Sequence, residues 1–334
     1  MREDDIRPAD LLNEYLRLSS RDAETYFPDR ERLSGRPCPA CGGRDAVDAF
    51  EKDGFPVARC AACRTLYVTA VPAKEALDAY YRGSPSQKYW ANVFTPAVAE
   101  TRRRKIVRPR VERIKALLAD LGRDPAEVLD VGAGQGMFLE ECRATGLGRR
   151  HRAVEPAADS AAAAAKKGFD VFTGFAREAA GDDAWRGRAD LVTAFEVIEH
   201  VTDPVTFVGE LAALAAPGGH ILMTGLCGTG FDILVLRQHS RAIAPPHHLT
   251  FLSHAGVGRL LRGAGLEEVS FFTPGLLDVD IVANAYAADP AAVGDGFARH
   301  LVSAASDGER QAFQRFLAEN GLSTHMWIVA RRPA

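Results

Sequence analysis

The sequence predicts an α/β chain built on a doubly wound, mostly parallel sheet, with a small four-cysteine module and a helical connection in front of it. Three observations carry that expectation. From about residue 125 onward, apolar segments of strand length alternate with segments of helical period. The first of those strands runs into a glycine-rich turn, Gly132-Ala-Gly-Gln-Gly136. Upstream stand two close cysteine pairs, Cys38/Cys41 and Cys60/Cys63, at the spacing of metal ligands. A chain of 334 residues has room for one large domain and a smaller one.

Residues 1–35 read as a helical extension, because Leu11, Leu12, Tyr15, Leu16 and Leu18 recur on one helical face. Residues 36–72 read as a ribbon of strand, turn and strand. Asp53-Gly54 supplies the positive φ of a tight hairpin, and the module closes near Leu66-Tyr-Val68 and Val71-Pro72. The hairpin carries Cys60-x2-Cys63 back to Cys38-x2-Cys41 across eighteen intervening residues. Four thiolates give closed tetrahedral ligation, so the expected occupant is one structural zinc. An Fe–S cluster or disulfides are the competing uses of the same residues. Cys142 and Cys227 stand alone and read as small buried side chains.

Residues 73–124 read as a helical linker, interrupted at Gly83-Ser-Pro85 and near Thr95-Pro96. Gln87-Lys-Tyr-Trp-Ala-Asn92 suits either a lid over a site or packing between modules. Next comes a basic run: Arg102, Arg103, Arg104, Lys105, Arg108, Arg110, Arg113 and Lys115. It fits a solvated helix face, with Ile106, Val107, Val111, Ile114 and Leu117 turned inward, better than a phosphate-binding patch. In the region 125–334 the expected strands are 127–131, 151–155, 170–173, 189–195, 219–224, 267–272 and 325–331. Helices are expected after Gly136, over 157–167 and over 205–215. The long, mixed segment 226–250 is the expected seat of substrate specificity.

Composition narrows the function. A net charge of −3 and mixed charges on the ribbon give no electrostatic footprint for nucleic acid. Met1-Arg-Glu-Asp-Asp5 is charged with no apolar core behind it, and no stretch reaches the ~18 apolar residues of a membrane span. The expectation is a cytoplasmic enzyme with a small-molecule partner and no membrane contact.

Gly132, Gly134 and Gly136 let the backbone approach a ligand, and the helix that follows presents free N–H groups to it. Met137 stands where a dinucleotide fingerprint would place its third glycine. Asp130, at the strand end, would repel a pyrophosphate but suits a cationic amino-acid group. Glu155 ends the next strand, about 20 residues on, where a carboxylate can accept both ribose hydroxyls. Phe195 and Glu196 end strand 189–195 and are expected to face the same pocket. One helical turn would put Glu196, Glu199 and His200 on a common face.

Four segments together resemble the class I S-adenosylmethionine-dependent methyltransferases. They are Val128-Leu-Asp-Val-Gly-Ala-Gly-Gln-Gly136, Ala153-Val-Glu-Pro156, Asp190-Leu-Val-Thr-Ala-Phe-Glu-Val-Ile-Glu-His-Val201 and Leu214-Ala-Ala-Pro-Gly-Gly-His-Ile-Leu-Met223. The resemblance spans residues 125–334 and implies a seven-stranded Rossmann-like sheet whose last strand, here His325-Met-Trp-Ile-Val-Ala330, is antiparallel. It assigns cofactor binding to Asp130, Gly132, Gly134, Gly136, Glu155 and Phe195. The Glu-x-x-Glu-His segment is similar to ubiquinone-pathway O-methyltransferases and to small-RNA 2′-O-methyltransferases. That likeness implies catalytic roles for Glu196, Glu199, His200 and His248, with a second divalent metal such as Mg²⁺ as one way of using them. His247, beside His248, is expected at most to cap the loop; His239 and His254 are expected on the surface. The expected reaction is methyl transfer to a hydroxyl of a small molecule from specialised metabolism or glycan biosynthesis. The competing readings are RNA methylation, C- or N-methylation of a nucleotide sugar, and a non-catalytic binding protein.

Overall fold

A computed structural model describes residues 3–28 and 33–334. The expected helical extension 1–35 therefore includes 1–2 and 29–32, which lie outside the described residues. Within the rest of it, the helix Ala9–Tyr26 buries Leu12, Tyr15 and Ala23.

The large sheet has seven strands, in the spatial order Glu267–Phe272, His325–Arg331, Ala215–Leu226, Ala189–Phe195, Glu127–Val131, Arg150–Glu155 and Asp170–Thr173. The four strands from 127 to 195 pair in parallel, as does Ala215–Leu226 with Ala189–Phe195. His325–Arg331 alone runs antiparallel to both of its neighbours. Helices cover both faces, so the central strands are apolar throughout: Val128, Leu129, Leu191, Val192, Ile221 and Ile328 are fully buried. The order reverses between Glu127–Val131 and Ala189–Phe195, which pair directly. At such a switch point the helices leave in opposite directions and open a crevice beyond the strand ends.

The Ala-rich segment forms the helix Ala158–Lys166, as alanine's propensity dictates. The fifth strand is longer than the sequence suggested, because Ala215 already pairs with Ala189 before a bulge over Gly218-Gly219. Any Cβ at Gly219 would come within 2.8 Å of the Ala216 carbonyl oxygen.

A second sheet has four strands: Ala46–Lys52, Phe55–Cys60, Leu66–Val68 and, from two hundred residues further along the chain, Thr250–Phe251. The ribbon thus pairs with the end of the long insertion, and the two share one core. Phe55, Val57, Leu66 and Val68 pack with Ile233, Ile243, Leu249 and Phe251. Arg36 locks the junction. Its guanidinium donates to the carbonyls of Val68, Thr202 and Leu249 at 2.7–2.8 Å. Arg59 donates to the Gly228 carbonyl at 2.8 Å.

Candidate functional site

A cavity of about 1130 Å³ opens at the switch point. Its floor is the glycine turn. Gly132, Gly134 and Gly136 all take positive φ, and Gly134 faces open space where a Cβ would meet nothing within 4 Å. At Gly132 a Cβ would sit 2.7 Å from Val197, so the turn is also packed tightly from behind. Asp130 is buried at the strand end and accepts from the Thr193 hydroxyl at 2.7 Å. Burial raises its carboxyl to about 7, against the opposing effects of Thr193 and Arg110. Glu155 accepts from the Gly134 and Ala157 N–H groups, both at 2.8 Å, one on each oxygen. Each carboxylate oxygen keeps a further lone pair. Phe195 lies between Phe138, 4.6 Å away edge-on, and the Arg110 guanidinium, 4.3 Å above its ring.

The opposite wall carries the residues of the Glu-Val-Ile-Glu-His segment, which the structure separates. Glu196 adopts φ +53°, a left-handed conformation uncommon for a residue with a side chain. It accepts from Thr224 Oγ1 at 2.6 Å and pairs with His325 at 3.3 Å and Arg110 at 3.7 Å. Burial opposes its charge, but His325, Arg110 and Thr224 together hold it below the usual carboxylate range. Glu199 is buried, and its Oε2 has no hydrogen-bond partner in the structure. Burial, reinforced by the charge of Glu196, pushes its carboxyl well above the usual range.

His200 and His248 do come together, with ring centroids 4.9 Å apart, and His247 stands between them at 4.3 and 4.6 Å. Each imidazole is oriented by hydrogen bonding, and the Glu196 backbone also lies within reach of His200. His200 Nδ1 donates to the His247 carbonyl at 2.8 Å, and His248 Nδ1 to the Ala242 carbonyl at 2.6 Å. His247 Nε2 meets the Tyr15 hydroxyl at 3.1 Å, while its Nδ1 is buried without a partner. Burial depresses all three, His248 to about 3, so the rings are neutral at physiological pH. Tyr81 closes over them, donating to the His247 carbonyl at 2.8 Å. The surface expectation for His254 agrees with the structure, where it pairs with Glu268 in an exposed position; His239 is exposed as well.

Sequence reasoning passed over His247 as a loop cap, and did not single out Tyr81 or His325. Only the doubled His-His pair signalled His247. Tyr81 and His325 lie in helix and strand patterns that give no such cue. The basic run divides. Arg103 and Arg108 pair with Glu140 and Glu141, Lys105 with Asp5, and Lys115 with the Thr145 carbonyl. Arg102, Arg110 and Arg113 line the cavity, as do the ion-paired Arg103 and Lys105. Trp90, in the lid candidate, stacks on Phe94 and packs on Tyr15, and the Ala91 carbonyl accepts from Gln135 in the glycine turn.

Cys38, Cys41, Cys60 and Cys63 converge, with all four sulfurs within 4.8 Å of one another. Cys38 and Cys63, and Cys41 and Cys60, approach to 3.5 Å, too far for disulfides and suited to a shared ion. The cluster is consistent with a zinc ribbon.

A seven-stranded sheet of this order, with a glycine turn and paired acids at the switch point, defines a methyltransferase fold. The methyltransferase-domain family profile matches residues 99–270, more than half of the chain. The chain belongs to the class I S-adenosylmethionine-dependent methyltransferases. A ubiquinone biosynthesis O-methyltransferase of Xanthomonas axonopodis is 30% identical over 170 residues, covering 47% of this chain and 68% of that one. Another, from Bradyrhizobium, is 37% identical over 102 residues, covering 30% and 39%. A solved plantazolicin methyltransferase in complex with S-adenosylhomocysteine aligns over 77% of this chain and 97% of its own, at 14% identity and a TM-score of 0.47. No helix among the described residues is long and apolar enough to cross a membrane.

Proposed function

We propose that the chain transfers the methyl group of S-adenosylmethionine to a hydroxyl oxygen of a small molecule in specialised-metabolite or glycan biosynthesis, as a cytoplasmic enzyme. The observation that supports it most directly is one cavity lined by Asp130, Gly134 and Glu155 on one side and by His200, His247 and His248 on the other. The similar Xanthomonas and Bradyrhizobium enzymes are O-methyltransferases, which favours oxygen over carbon or nitrogen.

The residues fit the cofactor. The open face above Gly134 admits a ligand against the backbone, Asp130 suits the cationic amino-acid end, and Glu155 can accept from the ribose hydroxyls with its remaining lone pairs. Gly132 and Gly136 shape that turn, and Phe195 borders it. When bound, the cofactor supplies a methyl group on a sulfonium that is already a good leaving group, so the protein's task is alignment. A hydroxyl acceptor also needs its proton taken. His200 and His248, held neutral by burial, have free Nε2 lone pairs and are the bases in reach of that side of the cavity. Glu199, when protonated, can donate to the acceptor. Glu196, ion-paired with Arg110 and in contact with His325, orients the strand end beside it.

We assign Cys38, Cys41, Cys60 and Cys63 to one structural zinc, and to the ribbon the task of holding the histidine loop. The strand after His248 pairs with Leu66–Val68, and the Val68 N–H donates to the Leu249 carbonyl at 3.0 Å. RNA as substrate is disfavoured by the basic run, whose Arg103, Lys105 and Arg108 are engaged in internal ion pairs.

Calorimetry with S-adenosylhomocysteine tests the cofactor half of this reading. Binding by the wild type, lost in Asp130→Ala, is expected; equal binding by both would refute it. An acceptor screen that follows S-adenosylhomocysteine release tests the other half.

A further inference from the structure

We propose that His200, His247 and His248 form a site for one divalent transition metal of the zinc, cobalt, nickel or iron(II) type, distinct in ligands and in metal class from the carboxylate-rich magnesium site that the Glu-x-x-Glu-His pattern implies. The inference rests on the reading of this wall as the acceptor side. Geometry supplies the argument. One ring nitrogen from each histidine lies within 4.8 Å of the other two, and apart from the four cysteines no other such group occurs among the described residues.

Each ring has one nitrogen lone pair to offer. His200 and His248 each donate Nδ1–H to a backbone carbonyl, which leaves Nε2 as a lone pair. His247 satisfies Nε2 with the Tyr15 hydroxyl and leaves Nδ1 buried and unpartnered. An imidazole whose remote N–H is fixed by a carbonyl or hydroxyl is the arrangement found around bound metals, because it sets both tautomer and ring direction. A buried, unpartnered ring nitrogen otherwise carries a desolvation cost, which a cation would relieve.

The carboxylates do not join the set. Glu196 is committed to Thr224, His325 and Arg110, and a second cation there would compete with the guanidinium. Glu199 lies outside the cluster. Three imidazoles make a nitrogen donor set, which suits zinc, cobalt, nickel or iron(II) and not magnesium, a cation that takes oxygen ligands. Three protein ligands also leave positions open, as at catalytic zinc sites, and the three rings line the cavity shared with the cofactor turn. With their lone pairs on the metal, His200 and His248 would no longer serve as bases, and the acceptor class this favours carries an oxygen whose proton is made acidic by coordination, such as a phenol or an enol.

The test uses the full chain purified with its cysteine site filled with zinc. Metal analysis and a Co²⁺ titration read by visible absorption should give one further equivalent per chain, without the thiolate charge-transfer bands of the cysteine site. His247→Ala and His248→Ala should each weaken it by more than about 10-fold, and Tyr15→Phe by roughly 10-fold through the lost outer contact. Glu196→Gln should leave it within about threefold, and excess Mg²⁺ should not displace it. S-Adenosylhomocysteine binding, measured on the same samples, verifies that each variant is folded. No second equivalent in the wild type, full uptake in the His200→Ala/His248→Ala double variant, or displacement by Mg²⁺ would overturn the proposal. If the cofactor analogue binds and the metal does not, this site fails while the methyltransferase assignment stands. Metal uptake without analogue binding gives the reverse.

Discussion

On the cofactor side, Asp130, the glycine turn and Glu155 come from two adjacent parallel strands and their connecting loops, within 26 residues of chain. On the acceptor side, His200 meets His247 across 47 residues, and the loop bearing His247 and His248 is held by a ribbon almost two hundred residues upstream. The first wall is local and set by sheet geometry. The second is assembled by tertiary packing, so its shape depends on parts that never touch a ligand. Local walls should tolerate damage elsewhere, and assembled ones should not.

Several perturbations can separate the two walls. The largest effect is expected for Cys60→Ser. Loss of one thiolate should release the zinc and loosen the ribbon, with global unfolding visible as a lower Tm and metal analysis showing the deficit. Retention of a full zinc complement would remove the ribbon from the account. Arg36→Ala comes next, since it deletes a half-buried cation that bridges Val68, Thr202 and Leu249. A loss of about 2–3 kcal/mol in denaturant unfolding is expected, with S-adenosylhomocysteine affinity unchanged. On the local wall, Asp130→Ala should lower that affinity by roughly 10- to 100-fold while Tm moves little.

The pH dependence is smaller and has a defined sign. Asp130 titrates near 7 in the folded protein and near 3.9 when unfolded, so between those values the unfolded chain binds fewer protons. This group therefore makes stability fall as pH rises from about 4 to 7. Cofactor affinity should move the opposite way. A cationic ligand favours the ionised carboxyl, so affinity rises through about pH 7, and Asp130→Asn should flatten the profile. The smallest effect is Gly132→Ala, where a positive φ and a Cβ 2.7 Å from Val197 should cost about 1–2 kcal/mol.

The same contrast explains what could be read from the sequence. The order of strands and helices, the turn at Gly132–Gly136 and its partner Glu155 follow from periodicity and spacing, which are local properties of the chain. The four cysteines were legible because a metal imposes short, fixed intervals. The histidine cluster was half legible. His200 and His248 were in view through their motif contexts, but His247 was set aside because nothing local says which of two adjacent rings turns inward. Both do, since each finds a separate partner, Tyr15 for His247 and the Ala242 carbonyl for His248. Glu196 was expected beside them on helical spacing. It leaves the strand in a left-handed conformation instead, and its carboxylate is engaged by Thr224, Arg110 and His325.

Hydrogen exchange read by mass spectrometry, on wild type and Cys60→Ser, compares the two walls in one experiment. Zinc loss should accelerate exchange across residues 244–251 and leave residues 130–137 protected as in the wild type, with S-adenosylhomocysteine binding retained. Equal acceleration in both segments, or none at 244–251, would contradict a histidine loop held by the ribbon and a cofactor wall that stands without it.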